Sequence, residues 1–87
     1  MAAFFVKYSY MKEIIFELTG EYIELIQLLK ATRIAQSGAE AKIFVVEGLV
    51  TLNGVLESRK RAKVRVGDKV VVEDVTIIVK ENKEVPQ

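Results

Sequence analysis

The alternation and clustering of apolar residues along the chain predict its elements in order. Residues 13–18, EIIFEL, combine β-branched and aromatic side chains in a run short enough for a strand, and Thr19-Gly20 interrupts it; a strand and then a turn are predicted. From Glu21 the period changes. Ile23, Ile26 and Leu29, with Leu25 and Leu28 beside them, recur at helical spacing, while Glu21, Glu24, Gln27 and Lys30 take the other face. That pattern predicts an amphipathic helix of about ten residues.

Ser37-Gly38-Ala39-Glu40 then opens a second helix. The Ser hydroxyl can accept from the third backbone N–H, while the Glu carboxylate reaches back to the Ser N–H. The helix reads AEAKIFVVE and stops at Gly48, with small Ala39 and Ala41 allowing close packing. Beyond it, Val50 to Leu52, Asn53-Gly54 and Val55-Leu56 form a hairpin signal, because Asn-Gly suits the positive backbone angles of a type I′ turn. After a run of basic residues, Val66-Gly67-Asp68 marks another turn. Val70, Val71 and Val72 and then residues 76–80, separated by Glu73-Asp74, predict a terminal hairpin.

Strand, helix, helix and four short strands make an α+β fold: two packed helices against a small, mostly antiparallel β-sheet. Residues 12–82 are expected to be a single domain, residues 83–87 a polar tail, and residues 1–11 a leader or an added edge strand, with Phe4, Val6, Tyr8 and Tyr10 alternating.

Composition narrows the chemistry. Eighty-seven residues, 51% apolar and 29% charged, suit one soluble core with little material left for a deep cleft. The chain has no Cys and no His, so disulfides, thiolate metal sites and His-based catalysis are set aside, and no cofactor or metal is expected. The carboxylates of Asp68 and Glu73-Asp74 are accompanied by no base, nucleophile or ligand cluster, which argues against an enzyme. Apolar runs fall far short of the roughly 20 residues that cross a bilayer, and no secretory signal is evident, so no membrane association is expected and the address is cytoplasmic.

Net charge is only +1, but residues 57–65 carry +4, leaving −3 for the rest. Arg59, Lys60, Arg61, Lys63 and Arg65 would attract phosphates and release counterions on binding; a solvated charged loop is the plainer alternative. The planar fork of arginine engages two phosphate oxygens, which favours Arg59 and Arg61 over the lysines. Lys42 lies one turn into the second helix, near N–H groups that favour anions. Lys30 and Arg33 flank the connection between the helices, where they would also complement the negative end of the first helix. Ser37 reads as a structural cap. Phe16 and Phe44 lie in apolar segments and read as core, so Phe16, Tyr22 and Phe44 together are not taken as a base-stacking platform.

LIQLLK, QSGAEAK, VTLNG, ESRKRAK and VGDKV, in this order, resemble the RNA-binding domain named after the fourth protein of the small ribosomal subunit, also called the αL motif. The likeness spans about residues 22–72. It is closest to the small stand-alone bacterial branch of YaaA-like and YbcJ-like proteins, in which the module is nearly the whole polypeptide. The resemblance implies RNA binding without catalysis, with ribosomal or transfer RNA as the partner, ribonucleoprotein components as neighbours, and a monomeric state. Two arginines of the wider family are missing: Gly38 follows Ser37, and Glu24-Leu25-Ile26 stands where an Arg-Leu-Asp triplet often opens the first helix. The stand-alone branch carries the basic run instead, which implies an RNA contact at Arg59, Lys60, Arg61 and Lys63. A second reading is a protein-interaction adaptor that adds a partner's strand to an edge made by the valine-rich terminal strands, near residues 76–79.

Overall fold

Alternation in the first apolar run produces β1 (Lys12–Leu18), in which Ile14, Phe16 and Leu18 turn inward and Glu13, Ile15 and Glu17 outward. The computed structural model describes residues 12–82. β1 is followed by β2 (Ile23–Glu24), α1 (Leu25–Ala31), α2 (Gly38–Val46), β3 (Val50–Leu52), β4 (Val55–Leu56), β5 (Lys63–Val64), β6 (Lys69–Val72) and β7 (Val75–Glu81). The predicted α+β class holds: two helices pack with a five-stranded sheet of order β1-β7-β6-β3-β4, and β2 and β5 form a separate two-stranded sheet. The main sheet is antiparallel except at β1, which runs parallel to β7 with Lys12 opposite Val75 and Leu18 opposite Glu81.

Three leucines fix α1. Leu25, Leu28 and Leu29 lie at i, i+3 and i+4 and are completely buried, making one apolar stripe against the core. The helix is seven residues long, not about ten, because Ile23 and Glu24 pair with Val64 and Lys63 and their backbones are therefore extended. Its C-terminus closes through Thr32, whose N–H and hydroxyl both donate to the Leu28 carbonyl, and through Arg33 at φ +65°. A non-glycine residue in this left-handed conformation carries a local steric cost, which the surrounding packing must offset.

α2 starts as predicted at Ser37, whose Oγ accepts from the Glu40 N–H at 3.2 Å. The returning carboxylate does not reach Ser37; Glu40 Oε1 accepts from the Gln36 N–H one residue earlier, at 2.7 Å. Ala41 and Val45 are buried, but Ala39 is exposed, so only one of the two small residues serves the close contact.

The Asn53-Gly54 turn also forms as predicted, with φ of +53° and +85° and Leu52 paired to Val55. Asn53 does more than turn the chain. Its Nδ2 donates to Asp68 Oδ1 at 3.0 Å and its Oδ1 accepts from the Lys69 N–H at 2.9 Å, while Asp68 Oδ2 accepts from the Arg65 N–H at 2.8 Å. These bonds tie the two turns together and use both Asp68 oxygens.

The core unites Leu18, Val50, Val70, Val72, Ile77 and Val79 of the main sheet with the helix leucines, and adds Ala62 and Val64 from the basic segment. Phe16 and Phe44 pack against it half-buried, in line with their reading as core. One expectation fails. The valine-rich strands offer no edge, because β7 is hydrogen-bonded to both β1 and β6, and β6 to both β7 and β3. Strand addition near residues 76–79 is thus excluded, and among the described residues the sheet ends at β1 and β4. The alternating residues 1–11 lie outside the described residues.

Candidate nucleic-acid interface

Five cations in seven residues would repel one another in a free loop, yet this segment is held by three backbone hydrogen bonds. Ala62 and Val64 are buried as anchors, 4% and 0% exposed, while every cation around them is exposed. The Ala62 N–H closes a turn onto the Arg59 carbonyl. The other two come from the first N–H groups of α1. That helix has no side-chain cap; instead the Leu25 N–H donates to the Ala62 carbonyl at 2.8 Å and the Ile26 N–H to the Lys60 carbonyl at 3.1 Å. The loop caps the helix, and the helix fixes the loop.

Glu57 anchors the other side. It is the only buried charged residue among those described, and its carboxylate accepts three bonds from Arg59: from the backbone N–H at 2.9 Å, from Nε at 2.9 Å and from Nη2 at 3.2 Å. Hydrogen bonds from the Arg59 side chain, then from its backbone N–H, hold the Glu57 carboxyl below its ordinary 4.5, more than offsetting the opposing effect of burial. A folded-state pKa below the unfolded value stabilises the fold above about pH 4.5, and that stabilisation disappears as pH falls through the lower folded value. Urea midpoints measured against pH for the wild type and Glu57→Gln should therefore differ most above pH 4.5 and converge below it. A constant difference across the range would show that the charge of Glu57 contributes nothing.

The structure sorts the predicted cations into three groups. Arg59 and Arg61 are exposed but already paired, Arg59 with Glu57 and Arg61 with Glu24, whose Oε2 lies 3.3 Å from Nη2. Lys60, Lys63 and Arg65 form no ion pair among the described residues. Arg59, Arg61, Lys63 and Arg65, with Ala62, line one shallow groove of about 470 Å³. Lys30, Lys42 and Arg33 are exposed on the helix pair. The stem of Lys30 passes over the start of α2, its Cδ 3.9 Å from where a Cβ on Gly38 would stand. Arg33 instead faces a different cleft, with Lys12, Phe44, Glu73 and Asp74.

The predicted cations leave out two kinds of residue that shape the site. Glu24 and Glu57 set the free charge of the loop, and for Glu57 the spacing to Arg59 was a usable signal. Tyr22 also joins the site: Lys63 Nζ lies 4.9 Å and Arg65 Cζ 5.7 Å from its ring centroid.

An αL helix pair, a small mixed sheet and a cation-bearing loop docked on the first helix define a nucleic-acid-binding class of small domain. The chain belongs to the S4 domain family, whose model matches residues 16–80. It is 45% identical over 49 residues to YbcJ of Escherichia coli strain K12, a stretch covering 56% of this chain and 70% of that one. The solution structure of YbcJ from E. coli, described as revealing an αL motif involved in RNA binding, aligns with a TM-score of 0.61 at 34% identity, over 84% of this chain and 91% of YbcJ. The 30S ribosomal protein S4e of Thermoplasma acidophilum aligns at 0.59 with 18% identity, over 76% of this chain and 41% of its own, a likeness of fold alone. No helix among the described residues is long and apolar enough to cross a membrane.

Proposed function

We propose that this chain is a non-catalytic, monomeric RNA-binding module of the cytoplasm, which holds structured RNA by its phosphates through Arg59, Lys60, Arg61, Lys63 and Arg65. Lys30 and Lys42 on the helix pair extend the contact, Arg33 lying at a different cleft, and ribosomal or transfer RNA is the partner class. The observation that carries this reading is the docking of the loop: its backbone caps α1 while its cations remain in solvent. A binding surface fixed before contact loses little conformational freedom on association. Membership of the S4 domain family and the likeness to YbcJ, whose motif is described as involved in RNA binding, support it. A rigid array of charges suits the fixed phosphate spacing of folded RNA and reads shape in preference to sequence.

Salt dependence tests the reading and counts the contacts. Five fully effective cations would give a log–log slope near −4.5 on duplex RNA, taking the B-DNA value of about 0.9 per phosphate as a guide. Because Glu57 and Glu24 already neutralise Arg59 and Arg61, the share of the slope from the loop should lie closer to about −2.7, the value for its three free cations, and Lys30 and Lys42 add to it. Fluorescence anisotropy of a labelled RNA hairpin between about 50 and 200 mM salt measures it. Affinity that does not change over that range would contradict phosphate binding.

A further inference from the structure

Tyr22 is the only exposed aromatic residue among those described, since Phe16 and Phe44 are half-buried against the core. It is not a loose side chain on a loose segment. The next residue, Ile23, pairs with Val64 across the two-stranded sheet and packs on the core, so the ring is held beside the basic loop. Tyr22 is 41% exposed, and Lys63 and Arg65, which form no ion pair among the described residues, lie over its ring at 4.9 and 5.7 Å. The ring lies outside the buried core, and its cation–π contacts among the described residues are to these two cations. What it offers is an aromatic ring with two positive charges over it, on the side of the molecule where phosphates are expected; a base can take its place on the ring as a cation moves off toward the phosphates.

We infer that Tyr22 stacks on an unpaired base of the bound RNA while Lys63 and Arg65 hold the phosphates beside that nucleotide. This rests on the RNA-binding reading above and narrows it. A paired base presents its faces only to its neighbours in the helix, so a stacking tyrosine requires a bulged, looped or terminal nucleotide. The ligand class becomes a structured RNA with an unpaired nucleotide next to its backbone contact. Phosphate binding alone would give no preference between such an RNA and a continuous helix.

Two hairpins test this, one with a single bulged 2-aminopurine and one in which the same base is paired. The wild type should prefer the bulged hairpin and change the 2-aminopurine emission on binding. Tyr22→Ala should reduce that preference by about tenfold and remove the emission change, whereas Tyr22→Phe, which keeps the π-face, should restore both. Equal loss on the two hairpins, or no loss on either, would overturn the stacking contact and leave salt-dependent binding standing. If the wild type binds neither hairpin in a salt-dependent way, the RNA-binding reading fails and this inference fails with it.

Discussion

A variant carrying Lys60→Glu, Lys63→Gln and Arg65→Glu should bind hairpin RNA on the order of a hundredfold more weakly near physiological salt, with its thermal midpoint moved by only a few degrees. These three side chains are exposed and form no ion pair among the described residues, so removing their charge withdraws phosphate contacts while costing the fold only the cation–π contacts of Lys63 and Arg65 with Tyr22. Gln is chosen at residue 63 because a Glu there would stand opposite Glu24 across the β2–β5 pair. Reversing Arg59 and Arg61 would be a poorer experiment. Each would set a carboxylate against the one it now satisfies, Glu57 or Glu24, and the loss of binding would be confounded with loss of structure. Anisotropy titrations and thermal melts on the same samples separate the two effects; unchanged affinity would remove the loop from the contact surface.

Leu25→Ala should have the largest effect on stability, lowering the unfolding free energy by about 2–5 kcal/mol, as buried leucine truncations do. For a domain of this size that corresponds to a fall in Tm of roughly 10 °C or more. Leu25 is fully buried at the first position of α1, and its own N–H donates to the Ala62 carbonyl. Packing and loop docking meet at this residue. RNA affinity at a temperature where the variant is still folded should also fall, because a loosened α1 no longer fixes the carbonyls of residues 60 and 62. Unfolding by circular dichroism with parallel binding titrations checks both parts; a destabilised variant with undiminished affinity would show that loop docking does not matter to binding.

What was legible in the sequence follows the range of the interactions. The Ser37 cap and the Asn53-Gly54 turn were readable because their chemistry is complete within four residues. The leucine stripe of α1 was readable for the same reason. Ile23 and Glu24 were not, since both fit the helical period and are drawn out of it only by Val64 and Lys63, far along the chain. The parallel pairing of β1 with β7 joins the two ends of the described chain, and it converts an apparent edge into an interior strand. Arg33 closes α1 with a positive φ that Gly or Asn would ordinarily signal.

The candidate site divides in the same way. The cation run is a local feature and stood out at once. The pairing of Arg61 with Glu24 spans 37 residues, and the placing of Tyr22 against Lys63 and Arg65 depends on the small β2–β5 sheet, so neither could be read from spacing. The arginines favoured for their planar forks are the two already occupied by carboxylates. That changes the weight of the residues within the proposed surface without moving the surface itself.

The most direct test is a titration of isotopically labelled protein with an RNA hairpin, followed by backbone amide chemical shifts. The largest changes should fall on residues 58–66 and on Tyr22, with smaller ones on Lys30 and Lys42 and almost none along β4. Changes concentrated on β4 and the exposed face of α2, with residues 58–66 undisturbed, would contradict binding through the basic loop.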